Sequence, residues 1–351
     1  MPLPQIRLCP PAAARRRIKA HMPNALCGSN TCRRAGCLPA SDGCTAVRVH
    51  NADGQYTMTA YPVFPGITFV YNEAHIQSVP RETPERAADD IVEISHCREG
   101  RLEYSINGAV CYLEPGDLAI ARTSSVSGES YFPLRHYHGL TVRMDLNKTP
   151  QCLSCLLDDV KVQPKALAEK FCGRKGGFVA RANPSVAHIF SELYSVPGTI
   201  QKGYFKVKAL ELLLFLSTLD LARDETERRR YSRAQAELAK AISKYMMEHK
   251  DDRVTLTQLS ERFHLSGACI KKLFRGVYGV SVGAYIRTQK MESAAYMLES
   301  TGRTILDIAN AHGYDNGSKF ANAFRSVKGV NPAEYRCRLR AKADKPYPNG
   351  V

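Results

Sequence analysis

What this sequence lacks narrows it first. No apolar run approaches the roughly 20 residues a bilayer-spanning helix needs. The longest is LLLFL at 212–216, and the N-terminus has no continuous apolar core of the secretory kind. A cytoplasmic protein with no membrane partner is therefore expected. Zinc-type cysteine spacing is missing too. Five of the 12 cysteines (Cys9, Cys27, Cys32, Cys37, Cys44) fall in the first 45 residues, and the last four follow one another at x4, x4 and x6 intervals that match no common metal pattern. Cys152-x2-Cys155 has no second pair near it. Neither a metal nor another cofactor is expected, and the thiols read as reduced.

Acidic residues are also scarce at the start: residues 1–45 hold 1 against 7 Lys and Arg. Residues 46–231 balance at 22 against 22, while residues 232–351 carry 20 basic against 11 acidic residues. A neutral middle joined to a basic last third points to a polyanionic partner for that third alone.

Residues 1–57, rich in Pro, Ala, Arg, Cys and Ser and without periodicity, read as a disordered leader, with Met22 and Met58 as candidate translation starts. Residues 58–148 then break into short runs of strand formers, among them ITFVYN, DIVEISHC, RLEYSI, VCYL, DLAIA and GLTVRMDL. Asn107-Gly108 is the two-residue signal for a tight hairpin joining 102–106 to 109–113, and EPGD at 114–117 makes a further turn. The rhythm predicts an antiparallel barrel or sandwich.

From 149 to 222 the texture is helical. PSVAHIFSELYSV (184–196) is amphipathic, whereas residues 203–222 are apolar round most of the circumference, which calls for burial on more than one side, a second subunit included. The polar stretch 223–233 reads as a linker, and residues 234–342 as helix upon helix, with a tail at 343–351.

One unit occurs twice in that last part. Thr255 is placed to cap a short helix carrying Leu259 and Phe263, a turn follows at His264 and Leu265, and Ser266 caps a second helix with Ile270, Leu273, Phe274 and Val277 at helical spacing. In residues 303–329 Ile308 matches Leu259, Phe320 matches Ile270, Phe324 matches Phe274 and Gly329 matches Gly279, at separations of 49 to 50 residues. Residues 281–300 read as a long helix connecting the copies. Two short helices joined by a tight turn form a helix-turn-helix unit.

Over its last ~100 residues the chain resembles the DNA-binding domain of the AraC/XylS family. The signature runs through Lys290-Met291, Ala294, Leu298, Ile305, Ile308-Ala309, Gly313-Tyr314, Phe320, Phe324, Gly329 and Asn331-Pro332. The resemblance implies seven helices in two helix-turn-helix subdomains, each laying its second helix in one of two successive major grooves. It puts base-reading positions at Ala268, Lys271 and Lys272, and at Gly317, Ser318 and Asn322 with Lys319 beside them. Lysine suits guanine or phosphate and asparagine suits adenine. Arg275, Arg325 and Lys328, with the helix N-termini at Ser266 and Asn316, suit phosphate.

Residues 96–122 and 132–144 resemble the cupin-type sensing half of such regulators. Arg101, Tyr104, Tyr112, Arg122, Phe132, His136 and His138, with Arg143, are the candidate effector-binding residues. His136 and His138 face the same way on a strand, and His96 with Glu103 would be the partners for a metal. No acidic ligand follows the pair in GLTVRM at 139–144, so hydrogen-bonded histidines are expected.

The fold class expected is α+β: a cupin-like antiparallel β half-barrel with flanking helices, then an all-α domain with two helix-turn-helix subdomains. The function expected is that of a non-enzymatic, effector-responsive regulator of transcription. Its partners would be double-stranded DNA, a small-molecule effector, a second copy of itself and, for an activator, RNA polymerase. The competing reading is a cupin-type metalloenzyme fused to a DNA-binding domain.

Overall fold

In the computed structural model the backbone is described for residues 36–39, 44–51, 54–80, 90–153, 162–173, 176–219, 230–249 and 254–343. The described residues form twelve strands: β1 (Gly36–Pro39), β2 (Thr45–Asn51), β3 (Gly54–Phe64), β4 (Ile67–His75), β5 (Ser78–Val79), β6 (Ile91–Gly100), β7 (Leu102–Ile106), β8 (Ala109–Leu113), β9 (Asp117–Arg122), β10 (Ser130–Tyr131), β11 (Tyr137–Asp145) and, after a first helix, β12 (Gly177–Arg181). They form an eight-stranded sheet in the order β1-β2-β3-β4-β11-β6-β9-β12 and a four-stranded sheet in the order β5-β10-β7-β8.

The β7–β8 hairpin turns at Asn107 and Gly108, both with positive φ (48° and 80°), as a tight primed turn requires. Side-chain alternation then divides the large sheet between two cores. Phe69, Ile94, Ile120, Leu140, Val142 and Met144 pack on one face against helices α1 (Pro164–Cys172), α2 (Pro184–Leu193) and α3 (Gln201–Thr218). On the other face Ala74, Cys97, Ala119 and Ala121 meet Tyr104, Ile106, Leu113 and Phe132 of the smaller sheet and its loops.

Seven helices follow: α4 (Arg233–Glu248), α5 (Leu256–Phe263), α6 (Gly267–Tyr278), α7 (Val282–Ser300), α8 (Ile305–Ala311), α9 (Gly317–Lys328) and α10 (Pro332–Ala343). The α+β class, with an antiparallel sheet domain ahead of an all-helical one, is the fold observed. Among the described residues no helix is long and apolar enough to cross a membrane.

Two expectations need correction. The strands begin inside the stretch read as a leader: Thr45–Asn51 pairs along its whole length with Gly54–Ala60, and the sheet edge extends to Gly36. Strand TAVRVHN is short and half polar, and only its pairing with β3 gives it a place. Residues 1–35 of that leader lie outside the described residues. Residues 149–222 are not wholly helical, because Gly177–Arg181 joins the large sheet beside β9. Helix α3 is buried on one side, through Phe205, Leu212, Leu213 and Leu216, while Val207 and Phe215 on its other side are 61% and 37% exposed.

Candidate nucleic-acid interface and its joint with the barrel

The two copies of the helix pair are built alike. Thr255 Oγ1 accepts from the Gln258 amide while the Gln258 side chain accepts from the Thr255 amide, and Thr304 and Asp307 repeat that reciprocal cap at the head of α8. Ser266 accepts from the Cys269 amide at the start of α6, and Asn316 accepts from the Ser318 and Lys319 amides at the start of α9. Both second helices stop at a glycine in the left-handed region, Gly279 at φ 75° and Gly329 at φ 74°. Leu259, Ile270 and Phe274 in the first copy and Ile308, Phe320 and Phe324 in the second are fully buried.

With those positions inward, the candidate reading positions turn out. Ala268, Lys271, Lys272 and Arg275 are exposed on α6, as are Ser318, Lys319, Asn322 and Arg325 on α9, with Gly317 half-buried. None of the five cations forms an ion pair among the described residues, so their charge is available to an outside partner. Lys328 is different: its ammonium lies 2.5 Å from Glu292 on α7.

The first copy is also joined to the barrel. Arg101, 4% exposed, donates from Nε to the Val277 carbonyl at 2.6 Å and from a terminal nitrogen to the Gly276 carbonyl at 2.5 Å, while its other terminal nitrogen meets Glu114 at 2.7 Å. Those carbonyls belong to the last turn of α6, which has no partners within its own helix. A cation there also complements the helix dipole. Around this contact Val110 exchanges backbone hydrogen bonds with Tyr231 at 2.9 and 2.7 Å, Lys240 meets Glu103 at 2.9 Å, and Tyr131 and Tyr278 share a hydrogen bond at 3.3 Å. Gly276 is required here, since a Cβ would lie 2.0 Å from the Tyr231 hydroxyl. Tyr231, read as linker, is thus part of the joint.

The candidate effector residues are not brought together around one cavity. Arg101 and Tyr112 belong to the joint, with the guanidinium 5.4 Å from the Tyr112 ring centroid and the Tyr112 hydroxyl on Glu103 at 2.9 Å. Tyr104 and Phe132 are buried between the two sheets, Arg122 faces Glu169 at 3.7 Å, and Arg143 faces Glu93 at 3.9 Å. A cleft of about 240 Å³ is lined by His96, Cys97, Arg98, Tyr194 and neighbours on α2, none of them in the candidate set. His96 stacks on Phe190 at 4.3 Å, and burial, helped by Arg181, pushes its imidazole down to about 4.

Sequence reasoning missed a polar row across the inner face of the large sheet. The Tyr56 hydroxyl donates to Asn72 at 2.7 Å, the Asn72 amide to Thr141 at 3.2 Å, and Thr141 and Ser95 share a hydrogen bond at 3.1 Å. These residues come from β3, β4, β11 and β6, so only strand order reveals the row. His136 and His138 do lie together, but their neighbours are His75 and Glu99 rather than His96 and Glu103. Burial lowers the pKa of His75 and of His136, and the other histidines of the group add to the effect.

Duplicated, capped helix pairs with outward cations define a class, the double helix-turn-helix domain. A helix-turn-helix domain family matches residues 259–338. The right origin-binding protein of Escherichia coli K12 is 30% identical over 102 residues, covering 29% of this chain and 35% of that protein. The regulatory protein SoxS of Salmonella typhimurium is 29% identical over 103 residues, covering 29% of this chain and 96% of that protein. The crystal structure of fatty-acid-bound ToxT from Vibrio cholerae is 13% identical, with 78% of this chain and 96% of that chain covered and a TM-score of 0.29. Residues 259–338 match a helix-turn-helix domain, the kind of domain that the AraC/XylS resemblance implies, and the matched stretch spans about a third of the first relative's length.

Proposed function

We propose that the protein is a sequence-specific DNA-binding regulator of transcription of AraC type, acting in the cytoplasm and without enzymatic activity. The observation that carries this reading is the matched pair of second helices: in each, buried aromatic and aliphatic residues hold the helix while Lys and Arg side chains without an ion-pair partner among the described residues face outward, joined on the second by Asn322. Lys271 and Lys272 supply charge to guanine edges or phosphates, Asn322 supplies the paired donor and acceptor that suits adenine, and Arg275 and Arg325 suit phosphate. Ala268, Gly317 and Ser318 are small, so the second helix relies more on backbone approach and DNA shape.

The finer part of the reading is that a small molecule bound by the barrel biases DNA binding. The polar row of Tyr56, Asn72, Thr141 and Ser95 offers hydrogen-bonding groups on the inner face, Arg101 ties that barrel to the first helix pair, and Lys240 ties it to α4. An effector acts only through a difference in affinity between two arrangements of this joint. The half-apolar outer side of α3, with Val207 and Phe215, suits a second copy of the chain, which would present two such domains to repeated half-sites. RNA polymerase is a further partner if the regulator activates.

The test uses a duplex selected from a random pool by the full-length protein. A Lys271→Ala, Lys272→Ala double variant should bind it more weakly, and its salt dependence should fall by about one counterion for each lysine that meets phosphate. Unchanged affinity and unchanged salt slope would remove the first recognition helix from this account.

A further inference from the structure

We propose that His75, His136 and His138 bind a divalent first-row transition-metal ion, with zinc as the natural occupant, at the end of the large sheet next to the second helix pair.

Strand pairing builds the site. Ala74 of β4 lies opposite Tyr137 of β11, so His75 is brought beside His136, and His138, two residues further on, joins them. One ligand nitrogen from each histidine lies within 4.8 Å of the others. Nε2 of His75 and Nε2 of His138 are 3.4 Å apart. Two nitrogens bound to one tetrahedral metal at about 2.0–2.1 Å stand about 3.4 Å from each other. The ring centroids of the trio are 4.7 to 5.3 Å apart.

The surrounding charge suits a cation. Glu99 Oε2 is 3.6 Å from His136 Nε2 and 3.8 Å from His138 Nδ1, while its other oxygen is 3.4 Å from Arg98. Glu99 is therefore placed as the outer carboxylate that orients ligating imidazoles and raises their basicity. Glu73, Glu292 and Lys328 also act on His75, and the last two are the ion pair between α7 and the end of α9. With Arg98 counted, three carboxylates face two cations. Imidazole donors favour Zn²⁺, Ni²⁺, Co²⁺ and Cu²⁺ over Mg²⁺ or Ca²⁺. Three protein ligands leave a fourth position open to water or to a group from outside.

The site does not depend on the regulatory reading. If that reading holds, it adds an ion beside the second helix pair, which is otherwise joined to the barrel less than the first. Metal binding and DNA binding can be measured separately, so failure of one leaves the other testable.

Full-length protein is titrated with Zn²⁺ by calorimetry and with Co²⁺ by absorption. Wild type should bind one ion per chain at this site, with cobalt showing ligand-field bands and no thiolate-to-metal charge-transfer band, which separates the histidines from the cysteines. Glu99→Gln should weaken zinc binding about 10- to 100-fold, and His75→Ala by more. His75 is exposed at a strand end, so its loss should leave the barrel folded by circular dichroism. His188→Ala, at an exposed histidine paired with Glu192 on α2, should bind like wild type. Equal zinc affinity and stoichiometry in wild type and His75→Ala, or a cobalt spectrum dominated by thiolate charge transfer, would overturn the proposal.

Discussion

The two helix pairs share caps, core positions and glycine stops, yet they are anchored differently. The first shares a core with the barrel: Val110 and Tyr112 of β8 pack with Ala236, Ile242, Leu259, Phe274 and Tyr278. The second has its own small core of Met291, Ala294, Ala295, Leu298, Ile308, Ala309, Phe320 and Phe324. Gly276 sits under Tyr231, whereas its counterpart Ser326 is exposed. Arg101 meets the end carbonyls of α6, and among the described residues no side chain does the same for α9. One duplicated unit therefore gives one helix pair bound to the barrel through a shared core and one with a core of its own at the far end of α7.

Three experiments would break or sharpen this contrast. The largest expected effect comes from the paired core substitutions. Phe274→Ala and Phe324→Ala should each cost about 3–5 kcal/mol by chemical denaturation. Loss of Phe274 should raise amide exchange in β8 as well as in α5 and α6, while loss of Phe324 should raise it only from α7 to α10. Equal spread into the barrel from both would erase the difference.

Acid gives the next effect. The folded barrel holds His96 neutral, with its pKa near 4 against an ordinary 6.5, so between those values the unfolded chain takes a proton that the folded chain refuses. Its contribution is complete above about pH 6.5 and is lost as pH falls toward about 4, by up to about 3 kcal/mol. The barrel and the first helix pair should weaken together over that range, with the second less affected, and His96→Gln should flatten the slope. A slope unchanged by His96→Gln would show that other groups carry it.

The smallest of the three is at the joint. Arg101→Met leaves the Gly276 and Val277 carbonyls without their donor and should cost about 2 kcal/mol. Exchange should quicken at residues 276–279 and stay the same at 326–329. No change at the first site would mean that the apolar contacts of Val110 and Tyr112 hold the joint alone.

How much was legible follows from the range of each interaction. The helix starts at Thr255, Ser266 and Asn316, the Asn107-Gly108 hairpin and the outward lysines could all be read, because each depends on residues within a turn or two of one another. Arg101 could not: as a charged residue on a strand it read as pocket lining, and its partners lie 175 and 176 residues away. His75 was missed for the same reason, since nothing in EAHIQ shows that it will stand opposite His136. Strand Thr45–Asn51 was lost in a basic, cysteine-rich stretch because its place depends on β3.

By itself, then, the sequence determined the local devices: helix starts and stops, the buried faces of both readers, the tight hairpin and the basic character of the last third. Only the tertiary structure decided which copy is joined to the barrel, which inner-face groups form the polar row, and which histidines meet. The physical reason is that hydrogen-bonded caps and turn conformations are set by neighbours in the chain. Strand register and the docking of two domains are instead chosen by burial summed over residues far apart in sequence.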